Sequence, residues 1–255
     1  MIDLHTHVLP GIDDGPVTVE ESLDVLRAAV AEGIQTLAAT PHVSRKYPTT
    51  ADRMEAAVEA LRDQARTHGL PIQLIRGGEL AHDVLLDLDG AELRRFALGG
   101  ANCLLVEFPY EVWPPALADA LRRTASFGLR PVLAHPERNQ EVQRAPERLR
   151  ALVANGVLLQ VTAASVEGRL GPEAARAARE LIDLGLVHLL SSDAHGFSVR
   201  PYGLREACRT LRDPELADSL TRKNPEALLA GREVAATRRR AQRRRGRWAT
   251  LIRPR

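Results

Sequence analysis

Short apolar runs alternate with amphipathic stretches from the first residue to about Gly231. Met1–Leu4 predicts a first strand. Thr18 and Glu21 form a capping-box pair ahead of a helix that sets Leu23, Leu26 and Val30 on one face, and Gly33 ends it. Ile34–Ala39 is the second strand. Ala51 to about Thr67 is a helix stopped by Gly69 and Pro71. Ile72–Ile75 and Cys103–Val106 are strands three and four, and Pro115–Phe127 is a helix. Pro131–Ala134 and then a helix at Pro146–Ala154 follow, then Val157–Val161 and a helix at Pro172–Leu184. Val187–Leu190 is strand seven, and short helices fill the rest.

Seven strand-then-helix units imply parallel strands joined by right-handed crossovers. The length of 255 residues suits one α/β domain,. Seven units favour a barrel over an open sheet, although periodicity does not decide between them. The domain is expected to span residues 1–234, with 235–255 as a tail.

Metal-binding residue types recur just past the predicted strands. Strand one is followed by His5, His7, Asp13 and Asp14, strand two by His42, strand three by Glu79 and strand four by Glu107. Strand five is followed by His135, and strand seven by Asp193 and His195. Five of the eight histidines fall in this set. All would lie on the C-terminal rim, where barrel enzymes carry their chemistry. Each has a bland alternative: a turn at Asp13-Asp14-Gly15, a solvated loop acid at Glu79, a helix cap at Asp193. Joint placement is what favours the metal reading. Imidazole with carboxylate suits Mn²⁺, Fe or Zn²⁺, and the missing thiolates argue against a structural zinc site. So many donors imply two or three ions, with Glu79 bridging, able to activate a water and clamp a phosphate. Arg138 and Arg200 follow these donors and suit bidentate phosphate binding, the alternative being pairs with rim carboxylates. Arg45 and Lys46 are further phosphate candidates. His68, His82 and His188 read as structural or surface residues.

Charge changes the picture at one end only. Residues 235–255 hold nine arginines and no acid, leaving 26 basic against 33 acidic residues in the body. A positive field for nucleic acid is therefore not expected of the folded domain. The stretch Arg238–Arg247 is a candidate contact for an anionic membrane or nucleic acid, the alternative being a disordered, solubilising extension. With aromatics at 4%, Leu, Val and Ala must supply most of the packing. No secretory leader or membrane span is legible. Cys103 and Cys208 make no disulfide framework, so the expected location is cytoplasmic, with peripheral contact at the inner membrane face through the tail.

Six motifs stand in order: His5-Thr-His-Val-Leu-Pro-Gly-Ile-Asp-Asp-Gly15, Ala39-Thr-Pro-His42, Gly78-Glu79, Val106-Glu-Phe-Pro109, Ala134-His-Pro-Glu-Arg-Asn139 and Ser192-Asp-Ala-His195. They resemble the PHP (polymerase and histidinol phosphatase) superfamily. Within it they are most similar to the bacterial manganese-dependent protein-tyrosine phosphatases of capsule and exopolysaccharide loci, over residues 1 to about 230. The resemblance implies a single-domain, distorted (β/α)₇ TIM-like barrel and three divalent metal ions, typically Mn²⁺. It implies His5, His7, Asp14, His42, Glu79, Glu107, His135, Asp193 and His195 as ligands, and Arg138, Arg200, His42 and Asp193 as the residues nearest the reaction. The implied substrate is phosphotyrosine on a membrane-associated tyrosine autokinase. The segment Val43-Ser-Arg-Lys-Tyr47 departs from the pattern and leaves substrate contacts there open.

Other readings stay in view. The same site suits a phosphatase of histidinol phosphate or sugar phosphates. An amidohydrolase with a modified lysine ligand is disfavoured, because the only lysines are Lys46 and Lys223. A non-catalytic regulatory module acting through the tail is the third reading. The sequence is compatible with an oligomer. There is no Cys-x₅-Arg loop for a cysteinyl-phosphate route.

Overall fold

The computed structural model describes residues 1–196, 200–234 and 236–237. The Arg238–Arg247 stretch lies outside the described residues. Nine strand segments are present: β1 (Ile2–Thr6), β2 (Thr36–Ala39), β3 (His42–Val43), β4 (Gln73–Arg76), β5 (Glu79–Ala81), β6 (Cys103–Glu107), β7 (Arg130–Ala134), β8 (Leu158–Thr162) and β9 (Leu189–Ser191). Every pairing between them is parallel.

Two of the seven expected strands are broken. β2 and β3 are one path interrupted at Thr40-Pro41, and β4 and β5 are one path interrupted at Gly77-Gly78. Thr40 still donates to Thr6, but from Pro41 the path pairs as a strand with β5. Gly78 is required by a close approach: a Cβ there would stand 2.8 Å from the Phe96 ring and 3.2 Å from Val43,. The breaks divide the strands into sheets ordered β1-β2-β4 and β3-β5-β6-β7-β8-β9. The path beyond β9 returns to β1. Thr6 pairs with Ala194 in parallel, Asp193 donates to the His5 carbonyl, and His7 donates to the Ala194 carbonyl. Seven strand positions thus form the ring of a distorted (β/α)₇ barrel.

The period-two alternation of strands sorts the core into two layers. Ile2, Leu4, Ala38, Ile75, Leu105, Val132, Ala134, Leu158 and Leu189 fill the interior together with Cys103. Leu98, Leu228 and Val234 join them at the N-terminal ends of the strands and close the floor. The alternate positions, among them Leu37, Leu74, Leu104, Val106, Leu133, Leu159, Val161 and Leu190, pack outward against the helices. At the floor, Thr237 donates to the Val187 carbonyl, so the chain stays on the barrel to the end of the described residues.

The helix over Val19–Ala31 carries the predicted capping box at Thr18 and Glu21, and Gly33 follows it at φ +84°,. Several predicted boundaries shift, among them strand two to Thr36–Ala39 and strand seven to Leu189–Ser191. β1 runs on through Thr6 because His5 and Thr6 are fully buried and bonded. The stretch 146–154 is a 3₁₀ turn at Pro146–Leu149 leading into a short helix at Arg150–Ala154. The helix expected from Pro115 begins at Leu117. Among the described residues no helix is long and apolar enough to cross a membrane.

Candidate metal centre

The first strand is built to aim two histidines together. Asp3 pairs with Leu37, yet Thr6 pairs with Ala39. Three steps along β1 match two along β2, so β1 carries a bulge with one extra residue. Leu4 and His5 therefore both face inward, where a regular strand would alternate: Leu4 packs in the interior and His5 reaches Gln160,. His7 then lies on the same side, with its Nε2 3.2 Å from His5 Nε2. Two more side chains arrive from left-handed backbone, His135 at φ +33° and Asp193 at φ +51°. Such angles are uncommon outside glycine and recur at functional sites.

Glu79, fully buried at the start of β5, is the hub. Its Oε1 lies 2.8 Å from His135 Nε2 and 3.3 Å from His5 Nε2. Its Oε2 lies 3.2 Å from His7 Nε2 and 3.1 Å from His42 Nδ1. Neither contact to Oε2 is aligned as a hydrogen bond, so this buried oxygen has no partner,. Asp193 Oδ1 stands 3.4 Å from His5 and 3.6 Å from His7. Glu107 Oε1 is 3.1 Å from His42 Nδ1. Asp14 Oδ1 stands 3.4 Å from His195 and 3.5 Å from His42. Four overlapping groups result, each with its ligand atoms within 4.8 Å of one another: His7-Asp14-His42-His195, His5-His7-Asp193, His5-Glu79-His135 and His42-Glu79-Glu107. Together they draw on the nine residues singled out along the sequence.

Two further groups orient the imidazoles. Gln160 donates from Nε2 to the Val161 carbonyl at 2.7 Å, which fixes its amide. Its Oε1 then accepts from His5 Nδ1 at 2.9 Å and leaves Nε2 as the free lone pair,. Asp13 accepts from His7 Nδ1 at 2.7 Å, from the His42 backbone at 3.0 Å and from the Gly15 backbone at 3.0 Å. Its carboxylate therefore holds the turn and one ring together. Asp13→Asn should weaken cation binding ~10–100-fold with the fold retained. Calorimetric titration checks this, and a change under about twofold would remove Asp13 from that role.

The electrostatics favour cations. Burial alone would push Glu79 up, but His5 and His135 hold it well below the usual carboxylate range. Burial also opposes ionisation of Asp193, which His5 and Arg200 nonetheless hold low. Glu107 is raised, first by burial and then by the charge on Glu79. Burial disfavours charge on His5 and His7, yet Glu79 and Asp193 around the first and Asp13 beside the second raise both above the ordinary imidazole value. Burial takes His135 down to about 4. A positive charge is thus favoured at His5 and His7, where divalent cations would compete with protons,. Imidazole and carboxylate donors, no thiolate, and an orphaned carboxylate oxygen at the hub fit hard or borderline divalent ions.

Residues 1–230 match the family model for capsular polysaccharide synthesis, CpsB/CapC. The chain belongs to this family. Among CpsB/CapC relatives, the tyrosine-protein phosphatase YwqE of Bacillus subtilis is 32% identical over 92% of this chain and 93% of its own. The tyrosine-protein phosphatase CpsB of Streptococcus agalactiae is 28% identical over 90% and 98%. A chain from the crystal structures of YwqE and Streptococcus pneumoniae CpsB, described as unique metal-dependent tyrosine phosphatases, superposes with a TM-score of 0.82. It is 29% identical and covers 95% of this chain and all of its own. An amidohydrolase from Mycoplasma synoviae, 13% identical with a TM-score of 0.56, covers 94% of this chain and 89% of its own and shares the fold.

In this CpsB/CapC chain a cleft of about 400 Å³ opens beside the cluster. Asp14, His42 and Glu107 form its inner end, and Tyr47, Phe108 and Tyr110 line its walls. Tyr47 stacks on His42, with centroids 5.4 Å apart and planes 10° apart. The Arg138 guanidinium carbon stands over the Tyr110 ring, 4.1 Å from its centroid, and Arg138 pairs with Asp193 Oδ2 at 3.3 Å. Arg200 pairs with the same oxygen and donates to the Asp193 carbonyl at 2.7 Å. Both arginines are therefore held on a rim carboxylate at the edge of the cluster. Arg45 turns away to Asp83 at 3.0 Å, while Lys46 reaches the cleft over Tyr47. His68 caps its helix, and His188 accepts from the Leu159 backbone at 3.0 Å, kept neutral by burial that takes it to about 4. His82 lines the cleft wall.

Gln160 and Tyr110 are positions at the cluster that the sequence pattern passed over, and Asp13, marked there as a donor type, holds an imidazole instead. Gln160 had a signal: it is the one polar residue in the buried run Leu158–Val161. Tyr110 had none, since its role depends on where Arg138 lies.

Proposed function

We propose that this chain hydrolyses phosphotyrosine on protein, with a tyrosine autokinase of capsule or exopolysaccharide synthesis as its substrate. The observation that carries the choice of substrate is the cleft. The whole chain has nine aromatic residues. Three of them, Tyr47, Phe108 and Tyr110, line this single cleft beside the metal-type cluster. Flat walls suit an aryl ester better than a sugar phosphate or histidinol phosphate.

In this reading three divalent ions, Mn²⁺ foremost with Fe or Zn²⁺ as alternatives, are held by His5, His7, Asp14, His42, Glu79, Glu107, His135, Asp193 and His195. When bound they supply an activated water and neutralise charge on the phosphoryl group. The chain does the rest. Gln160 and Asp13 present the imidazole lone pairs. Asp193 Oδ2 poises Arg138 and Arg200 where two guanidiniums can grip the phosphoryl oxygens as charge builds on them. Tyr110 beneath Arg138 keeps that plane fixed, and the aromatic walls hold the leaving ring. No thiol competes: burial pushes Cys103 up to about 12 on the interior floor, and burial raises Cys208 within its helix,. The location proposed is cytoplasmic, with the basic tail Arg238–Arg247 meeting an anionic membrane surface.

The test is metal analysis of the purified protein together with kcat/KM, with Mn²⁺ added, on a phosphotyrosine peptide, histidinol phosphate and a sugar phosphate. We expect at least ~100-fold preference for the peptide, and loss of activity after chelation that Mn²⁺ restores. Equal turnover of an aliphatic phosphate would refute the substrate assignment. Activity that survives exhaustive chelation would refute the metal mechanism.

A further inference from the structure

A second cavity adjoins the cleft. Its volume is about 480 Å³, and it lies between the segment 43–52 and the segment 84–96. Its lining is mainly apolar, with Val43, Pro48, Val84, Leu88 and Phe96 as the main surfaces. Its floor includes Thr49, whose buried hydroxyl has no hydrogen-bond partner. The two cavities share Ser44. Arg45 straddles the divide between them, reaching Asp83 at 3.0 Å and Asp87 at 3.6 Å. All three of those side chains are largely exposed, so the ion pairs contribute little and yield readily to a ligand,.

Resting on the reading that the cleft takes phosphotyrosine, we infer that this second cavity is a specificity subsite for an apolar side chain of the same polypeptide. Continuity decides the occupant. An extended chain with its phosphotyrosine in the cleft places the side chain two residues away on the same face, about 7 Å along. Ser44 and Arg45 are where such a chain must cross. Charge narrows the choice further. Asp52, Asp83, Asp87 and Glu92 around the groove outnumber Arg45 and Arg95, and both arginines are already paired with acids. Acidic residues flanking the phosphotyrosine are therefore disfavoured, and neutral or basic ones are accepted. A small aryl phosphate would use the cleft alone and never sense the groove.

The experiment compares the Mn²⁺-loaded full chain on phosphotyrosine peptides of equal length. Leu, Gly or Asp stands two residues before or after the phosphotyrosine, and p-nitrophenyl phosphate is the groove-independent reference. We expect the Leu peptide to exceed the Gly peptide ~10-fold in kcat/KM on one of the two sides, with the Asp peptide lowest. Val84→Trp, which fills the groove from its wall, should erase the Leu preference while p-nitrophenyl phosphate turnover stays unchanged. Equal kcat/KM for the Leu and Gly peptides on both sides in the wild-type chain would overturn the inference, whatever the variant does. If no phosphotyrosine peptide reacts while an aliphatic phosphate does, the phosphotyrosine reading itself has failed, and the subsite with it.

Discussion

Glu79→Gln should lower kcat by ~10³-fold or more even with excess Mn²⁺, while the protein still folds. The argument is geometric. Among the described residues Glu79 alone has two oxygens facing four imidazoles, with His5 and His135 on one and His7 and His42 on the other. The amide keeps the volume but removes the charge and one acceptor, so the four imidazoles lose the anion they share. Activity should fall together with metal stoichiometry, measured by plasma mass spectrometry, while circular dichroism stays as in the parent. A variant retaining a tenth of the parent's kcat would show that Glu79 is not the hub of the reaction.

Arg138→Ala should cost ~10²–10³-fold in kcat/KM with metal content unchanged. The Arg138 side chain pairs with Asp193 Oδ2, and its backbone bond to the His135 carbonyl survives the substitution, so its loss spares the other donors. What goes is a guanidinium held over Tyr110, itself a wall of the cleft, and lysine should restore little because it has no planar fork,. Weaker competition by inorganic phosphate should accompany the loss. Full activity with unaltered phosphate inhibition would assign Arg138 to holding Asp193 instead. Arg200→Ala is expected to mix both effects, since Arg200 also binds the Asp193 backbone.

The barrel and its donors were legible because each depends on local pattern. Thr18 and Glu21 announce a helix, and apolar runs announce buried parallel strands. His5, His42, Glu79, His135 and Asp193 stand at strand ends whatever the details of pairing. The rest depends on contacts between distant segments. Nothing local says that β1 carries an extra residue, because the bulge exists only relative to Leu37 and Ala39. Nothing local breaks β4 from β5 except Gly77-Gly78, which reads equally as a turn until Phe96 is seen against it. Asp13 reads either as a donor after strand one or as part of an Asp-Asp-Gly turn; its grip on His7 and on the His42 backbone appears only when strands one and two lie side by side. The guanidiniums had two readings, phosphate or rim carboxylate; the structure shows both on the carboxylate, with Arg138 also over Tyr110 of the cleft wall.

Leu98, Leu228 and Val234 seal the base of the barrel. Among the described residues the centre of the barrel is consequently a dead end, so cations, the incoming ester, water and the departing phosphate would all pass the same rim. Each round must clear that rim before the next begins, so a freshly released phosphate ion stands where the next ester has to enter.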